Sequence, residues 1–148
     1  MSEPAAEDAP RRGSRRAARK RALDICYEAD LRGRDLVTVL ADHLEADDPP
    51  DAFTVALVRG VERTRPELDD LIGRHSRGWR LERMPVVDRN LLRIGLYEIL
   101  HEPEVPTAVA IDEAVALAKE LSTDDSGRFV NGVLARVAEQ HTDTPESA

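Results

Sequence analysis

Cysteine is nearly absent from this 148-residue chain: Cys26 stands alone, so no disulfide forms within it, as expected in a reducing compartment. Aromatic residues are scarce too, with two Phe, two Tyr and one Trp. Any core must therefore be packed from Leu, Val, Ile and Ala. No apolar run approaches the roughly 20 residues that cross a membrane. The N-terminus has no apolar stretch of the secretory kind, and Glu3, Glu7 and Asp8 ahead of the first arginines argue against an organelle presequence. The expected setting is cytoplasmic. Strand-like alternation is missing, and with it any strand that could lead into a glycine-rich phosphate loop. His43, His75, His101 and His141 are far apart, and none has a Cys or His neighbour at metal-ligand spacing. Neither a metal nor a cofactor is expected. Cys26 reads as a small core thiol, and the acids of "LDD" and "IDE" read as solvated helix faces and caps. No nucleophile, base and oxyanion site assemble, so the sequence argues against an enzyme.

What the chain does have is helical periodicity. Residues 1–13 read as a disordered lead-in and 141–148 as a disordered tail. Between them the first helix is expected from Ser14 to about Leu31, before Gly33, and a second from about Asp35 to Glu45 with Leu36, Val37, Leu40 and Leu44 inward. Asp51 is a candidate N-cap for a third, carrying Phe53, Leu57 and Val61. Pro66 either kinks this helix or begins a new segment with Leu68, Leu71 and Ile72. "GRHSRGW" reads as a loop and Leu81–Met84 as a short turn. "VVDRNLLRIGLYEIL" is apolar around most of its circumference and should be the central helix. "TAVAIDEAVALAKEL" follows, with Ile111, Ala114, Val115, Ala118 and Leu121 as core. The last helix, to about Gln140, should bury Val130, Val133, Leu134 and Val137. The expected fold is all-α.

Charge is segregated. The chain carries a net −8, yet "RRGSRRAARKR", Arg11 to Arg21, holds seven basic residues and no acid. Outside it 14 basic residues face 29 acidic ones. Such polarity speaks of partners rather than fold. On a helical projection Ala18, Ala22, Ile25 and Ala29 share one side, with Cys26 at its edge. Arg12, Arg16, Arg19 and Lys20 are placed opposite, with Tyr27 in line. Guanidinium groups match phosphate in charge and geometry, and a nearby ring suits an unstacked base. A nucleic-acid face and a plain solvated face both fit this helix, and the acidic body favours single-stranded RNA over long duplex. In "DDSGRFVNGVL", Phe129 lies off the buried stripe and shares a side with Asp125. It either packs against a neighbouring helix or belongs to the same surface.

"SRRAARKRALDICYEAD", "VVDRNLLRIGLYEIL", "VPTAVAIDEAVALAKEL" and "DSGRFVNGVL" occur in the order found in the NusB family of bacterial antitermination factors, which the chain resembles over residues 14–138. The resemblance implies two small helical bundles packed together, about 14–80 and 81–140. It implies a non-enzymatic role: binding a single-stranded boxA element in nascent RNA with the ribosomal protein NusE, inside an RNA polymerase antitermination complex that reads through ribosomal RNA operons. By position it assigns RNA contacts to Arg15, Arg16 and Arg19, and to Tyr27, Asp125 and Phe129, with Phe129 as a stacking platform. Asp88 matches an acidic position at the RNA and partner junction. Ala17 stands where another arginine is frequent, and Lys20 where an acid is common, so Lys20 restores the lost charge. Asp112 replaces a frequent asparagine. A homodimer that hides the basic helix until RNA competes for it is compatible with the family. Two other readings remain: an RNA-targeting module serving a separate rRNA-modifying enzyme, and a scaffold whose basic helix meets an acidic protein.

Overall fold

A computed structural model describes the backbone of residues 12–143 and the side chains of residues 15–141. Within them the chain is all α. The elements are α1 (Arg12–Arg32), α2 (Leu36–Leu44), α3 (Ala52–His75), a 3-10 turn at Leu81–Arg83, α4 (Val86–His101), α5 (Thr107–Leu121) and α6 (Asp124–Asp143). The lead-in over residues 1–11 and the tail beyond 143 lie outside the described residues, as does the side chain of Arg12. Two boundaries move: α1 already runs through residues 12–14, and α6 continues three residues past Gln140.

Local chemistry explains where the helices begin. Asp35 and Asp51 accept the backbone N–H of Thr38 (3.1 Å) and Thr54 (2.9 Å), each filling a donor that the first helical turn leaves open. The Thr123 hydroxyl does the same for Ser126 N–H at the head of α6 (2.9 Å). Pro66 does not divide α3, which stays helical to His75 and absorbs Gly73–His75, expected as loop. Proline removes one hydrogen bond, but Leu57, Val58 and Val61 before it and Leu68 and Ile72 after it are all buried. The packed face holds both halves on one axis.

α4 is the central helix. Leu91, Leu92, Ile94 and Leu96 are buried, and α1, α3, α5 and α6 all pack on it. One hydrophobic cluster draws on all six helices. Helix α3 crosses α4 at close range: a Cβ at Gly60 would lie 2.2–2.6 Å from the Tyr97 ring. Only glycine leaves room for that ring.

Three residues expected inward point out. Val37 and Leu44 on α2, and Leu121 at the end of α5, are 55%, 36% and 37% exposed. The nine residues of α2 bury one narrow stripe, Leu36, Val39 and Leu40, and Val37 sits a full 100° step from Leu36. In α5 the stripe is Ala110, Ala114, Leu117 and Ala118, with Ile111 and Val115 at its flanks, and Leu121 falls past its end.

Candidate nucleic-acid interface

The basic run of α1 is placed by its apolar partners. Ala18, Ala22, Leu23, Ile25, Cys26 and Ala29 are buried, so the residues on the far side of the helix reach solvent. Burial pushes the Cys26 thiol up to about 12, which leaves it an inert core group. The structure corrects the placement of Arg19: it is 3% exposed and faces inward. It projects between Cys26 and Leu23, at the rim of the buried arc. There it donates from Nε (2.8 Å) and Nη2 (2.7 Å) to Glu98 of α4, itself buried. Burial raises the Glu98 carboxyl, and the Arg19 hydrogen bond and charge draw it partly back.

Arg16 stands one turn earlier and is 54% exposed. Its Nε and Nη2 donate to Glu113 of α5 at 2.8 and 3.0 Å, leaving Nη1 outside that pair. Glu113, expected on a solvated face, is buried, because it is the anchor for this arginine. Lys20 donates to Glu120 at 3.1 Å with both groups about half exposed. Arg15 is half-buried, its guanidinium carbon 4.4 Å from the centre of the Phe53 ring. Its Nε is buried and makes no hydrogen bond among the described residues. Tyr27 is 36% exposed, two turns beyond Lys20 on the same side.

At the far end of α1, Asp30 accepts from Arg89 (2.6 and 2.7 Å) and Asn90 (2.8 Å) at the head of α4. Burial alone would raise Asp30, but these donors hold it below the usual carboxylate range. Asp88, in the first turn of α4, is buried and accepts the Ser126 hydroxyl of α6 at 2.9 Å. Its other oxygen, Oδ1, is buried with no hydrogen bond among the described residues. Burial raises its pKa, and the Ser126 and Ser122 hydroxyls oppose the rise.

These ties close a circuit. Lys20 is fixed to the last turn of α5, which leads directly into α6. Asp30 is fixed to the head of α4, and Asp88 fixes that head to the first turn of α6. The stretch of α1 from Lys20 to Asp30, with Tyr27 within it, is thereby tied at one end to α5 and at the other to the head of α4, and that head also seats α6, which carries Asp125 and Phe129. Asp125 is exposed and paired with Arg128. Phe129 is half-buried, with Trp79 tilted against it at 5.7 Å. Together α1, the end of α5, the head of α6 and the loop before α4 offer three rings, Tyr27, Trp79 and Phe129, three exposed cations, Arg16, Lys20 and Arg128, and the exposed carboxylates of Glu120 and Asp125. Sequence reasoning missed Glu98, Glu113 and the Asp30 network. The available signal was a lone acid inside the apolar "LLRIGLYEIL", which needed a buried cation to match. It also missed Trp79.

Among the described residues no group of three or more His, Cys, Asp or Glu is placed to hold a metal ion, and no helix is long and apolar enough to cross a membrane.

The NusB family model matches residues 16–139. The transcription antitermination protein NusB of Saccharopolyspora erythraea is 57% identical over 129 residues, covering 85% of this chain and 87% of that one. Among solved structures, T. maritima NusB is similar with a TM-score of 0.76 at 38% identity, covering 85% of this chain and 91% of that one. A chain in the crystal structure of antitermination factors NusB and NusE in complex with dsRNA is 28% identical with a TM-score of 0.70. The match covers 85% of this chain and 96% of that one.

Proposed function

The chain belongs to the NusB family, and from that premise we propose that it is a non-enzymatic, RNA-binding antitermination factor. It binds boxA-like single-stranded RNA together with NusE in the cytoplasm, and joins an RNA polymerase complex that reads through ribosomal RNA operons. The observation that carries this reading is the solvent face of α1, where exposed Arg16 and Lys20 stand in line with Tyr27; Phe129 of α6, against Trp79, adds a second ring surface. Arginine and lysine there take backbone phosphates, and the rings take unpaired bases. Asp125 accepts from a base edge. Exposed pairs such as Lys20 with Glu120 contribute little to stability, so a phosphate displaces the carboxylate at small cost.

Arg15 and Arg19 support that surface from beneath. Arg19 fixes α1 to α4, and Arg15 lies on Phe53. Asp88 sets the junction of α4 and α6 on which the partner docks. The similar NusB–NusE complex was solved with dsRNA. Stacking on Tyr27 and Phe129 requires bases free of a duplex, so single strands are the expected ligand here.

The test is a gel-shift titration with boxA-like RNA, the same composition shuffled, and a duplex competitor, each with and without the ribosomal protein. The expected result is preferential binding of the boxA-like strand, tightened by the protein. Equal affinity for the shuffled strand would sink the boxA assignment.

A further inference from the structure

The loop between α3 and α4 is the second place where arginines and a ring meet solvent. Its shape is held firmly. Arg136 of α6 donates from Nε (3.1 Å) and Nη2 (2.6 Å) to the His75 carbonyl at the end of α3. The buried Ser76 hydroxyl donates to the Trp79 carbonyl at 2.8 Å. Arg77 adopts φ +51°, uncommon for a residue with a side chain, and Gly78 follows at φ +91°.

What the loop displays is Trp79, 53% exposed, with its ring against Phe129. Gly78, Trp79, Arg80 and Arg83 line a shallow hollow beside it. Arg80 pairs with exposed Glu82 at 3.1 Å, and Arg128, next to Phe129, pairs with Asp125. Arg77 and Arg83 are exposed and make no ion pair among the described residues. Arg80, Arg83 and Arg128 flank the ring pair, with Arg77 two positions before Trp79, against exposed Glu82, Asp124 and Asp125, a small local positive excess on a chain of net −8.

We propose that Trp79 and Phe129 form a continuous two-ring platform that carries the RNA strand beyond the α1 rim and across the α3–α4 loop. Trp79 stacks on a further base, and Arg77 and Arg83 hold the phosphates that flank it. This inference rests on the RNA-binding reading above. The charge excess selects a polyanion over an apolar protein face, and the open ring face selects an unpaired strand.

Trp79 is the one tryptophan in the chain, so its fluorescence reports on this site alone. The experiment titrates the full chain with a short boxA-like RNA and with the same RNA lengthened by a few nucleotides at either end. The lengthened RNA should quench Trp79. Trp79→Ala should weaken that RNA about tenfold, the effect of losing one stacked base, while Trp79→Phe keeps most of the affinity. Arg77→Ser with Arg83→Ser should flatten the salt dependence for the lengthened RNA by about 0.7 per lost contact. If the chain binds both RNAs equally, with Trp79 unquenched and Trp79→Ala silent, the platform is wrong while RNA binding stands. If it binds no RNA, both readings fall. If Trp79 responds to the ribosomal protein but not to RNA, the surface belongs to a protein and the platform is overturned.

Discussion

The basic face of α1 and the α3–α4 corner reverse what their sequences advertise. α1 has the densest positive run in the chain, yet each of its four candidate cations is engaged. Arg15 lies on Phe53, Arg16 binds Glu113, Arg19 binds Glu98 and Lys20 binds Glu120. The corner is sparser, and its Arg77 and Arg83 are unpaired among the described residues. Charge density along a chain is thus a poor guide to charge available at a surface. Arg16 and Arg19 make the point within one helix: both are bidentate on a buried glutamate, and only one of them reaches water.

The strongest way to break this contrast is Arg19→Ala. Removing one partner of a buried pair strands the other, so unfolding in denaturant should show a loss of about 3–5 kcal/mol. Replacing Arg19 and Glu98 together with Met and Leu should restore most of it. A loss below about 1 kcal/mol for the single change would remove Arg19 from the architecture. Phe129→Ala should come next, weakening RNA by about 1–3 kcal/mol with an unchanged salt slope, because a ring contributes stacking and no charge. Lys20→Ala should leave stability within about 1 kcal/mol, yet flatten the salt slope of RNA binding by about 0.7. A slope that does not move would take Lys20 off the phosphate track. The smallest effect belongs to Asp88→Asn. Burial raises the Asp88 pKa, so the folded chain holds that proton more tightly than the unfolded one. Stability then falls as pH rises from the ordinary carboxylate range through the folded value. Asp88→Asn should raise Tm slightly at pH 7 and lose that advantage below about pH 4. A gain of equal size at both pH values would show that the buried charge is not its cause.

Much of the fold is legible because it follows local rules. Asp51 caps α3 as its position before an apolar run suggests, and the buried arc of Ala18, Ala22, Ile25 and Ala29 follows from helical period alone. The direction of Arg19 at the rim of that arc is ambiguous until a carboxylate 79 positions away arrives to receive it. Glu113 resembles a solvated acid for the same reason, since its partner Arg16 lies 97 positions away. Pro66 could not be settled locally, since whether a helix survives a proline depends on the face packed on either side. Of the candidate interface, Tyr27 and Phe129 stand out in the sequence as rings off the buried stripes, but the ties that seat α1 on α4 and α5, and α4 on α6, are all long-range.

The fit of Tyr97 against Gly60 has an evolutionary corollary. It works as a detent that sets the rotational phase of α3 on α4. A single-codon insertion between Gly60 and His75 would turn everything downstream by about 100° and swing Trp79 away from Phe129. An insertion of seven residues, close to two full turns, would nearly restore the angle but push the loop about 10 Å along the axis. Length variation among descendants of this gene should therefore be purged from the second half of α3 and collect instead in the α2–α3 connection, which lies outside both helices.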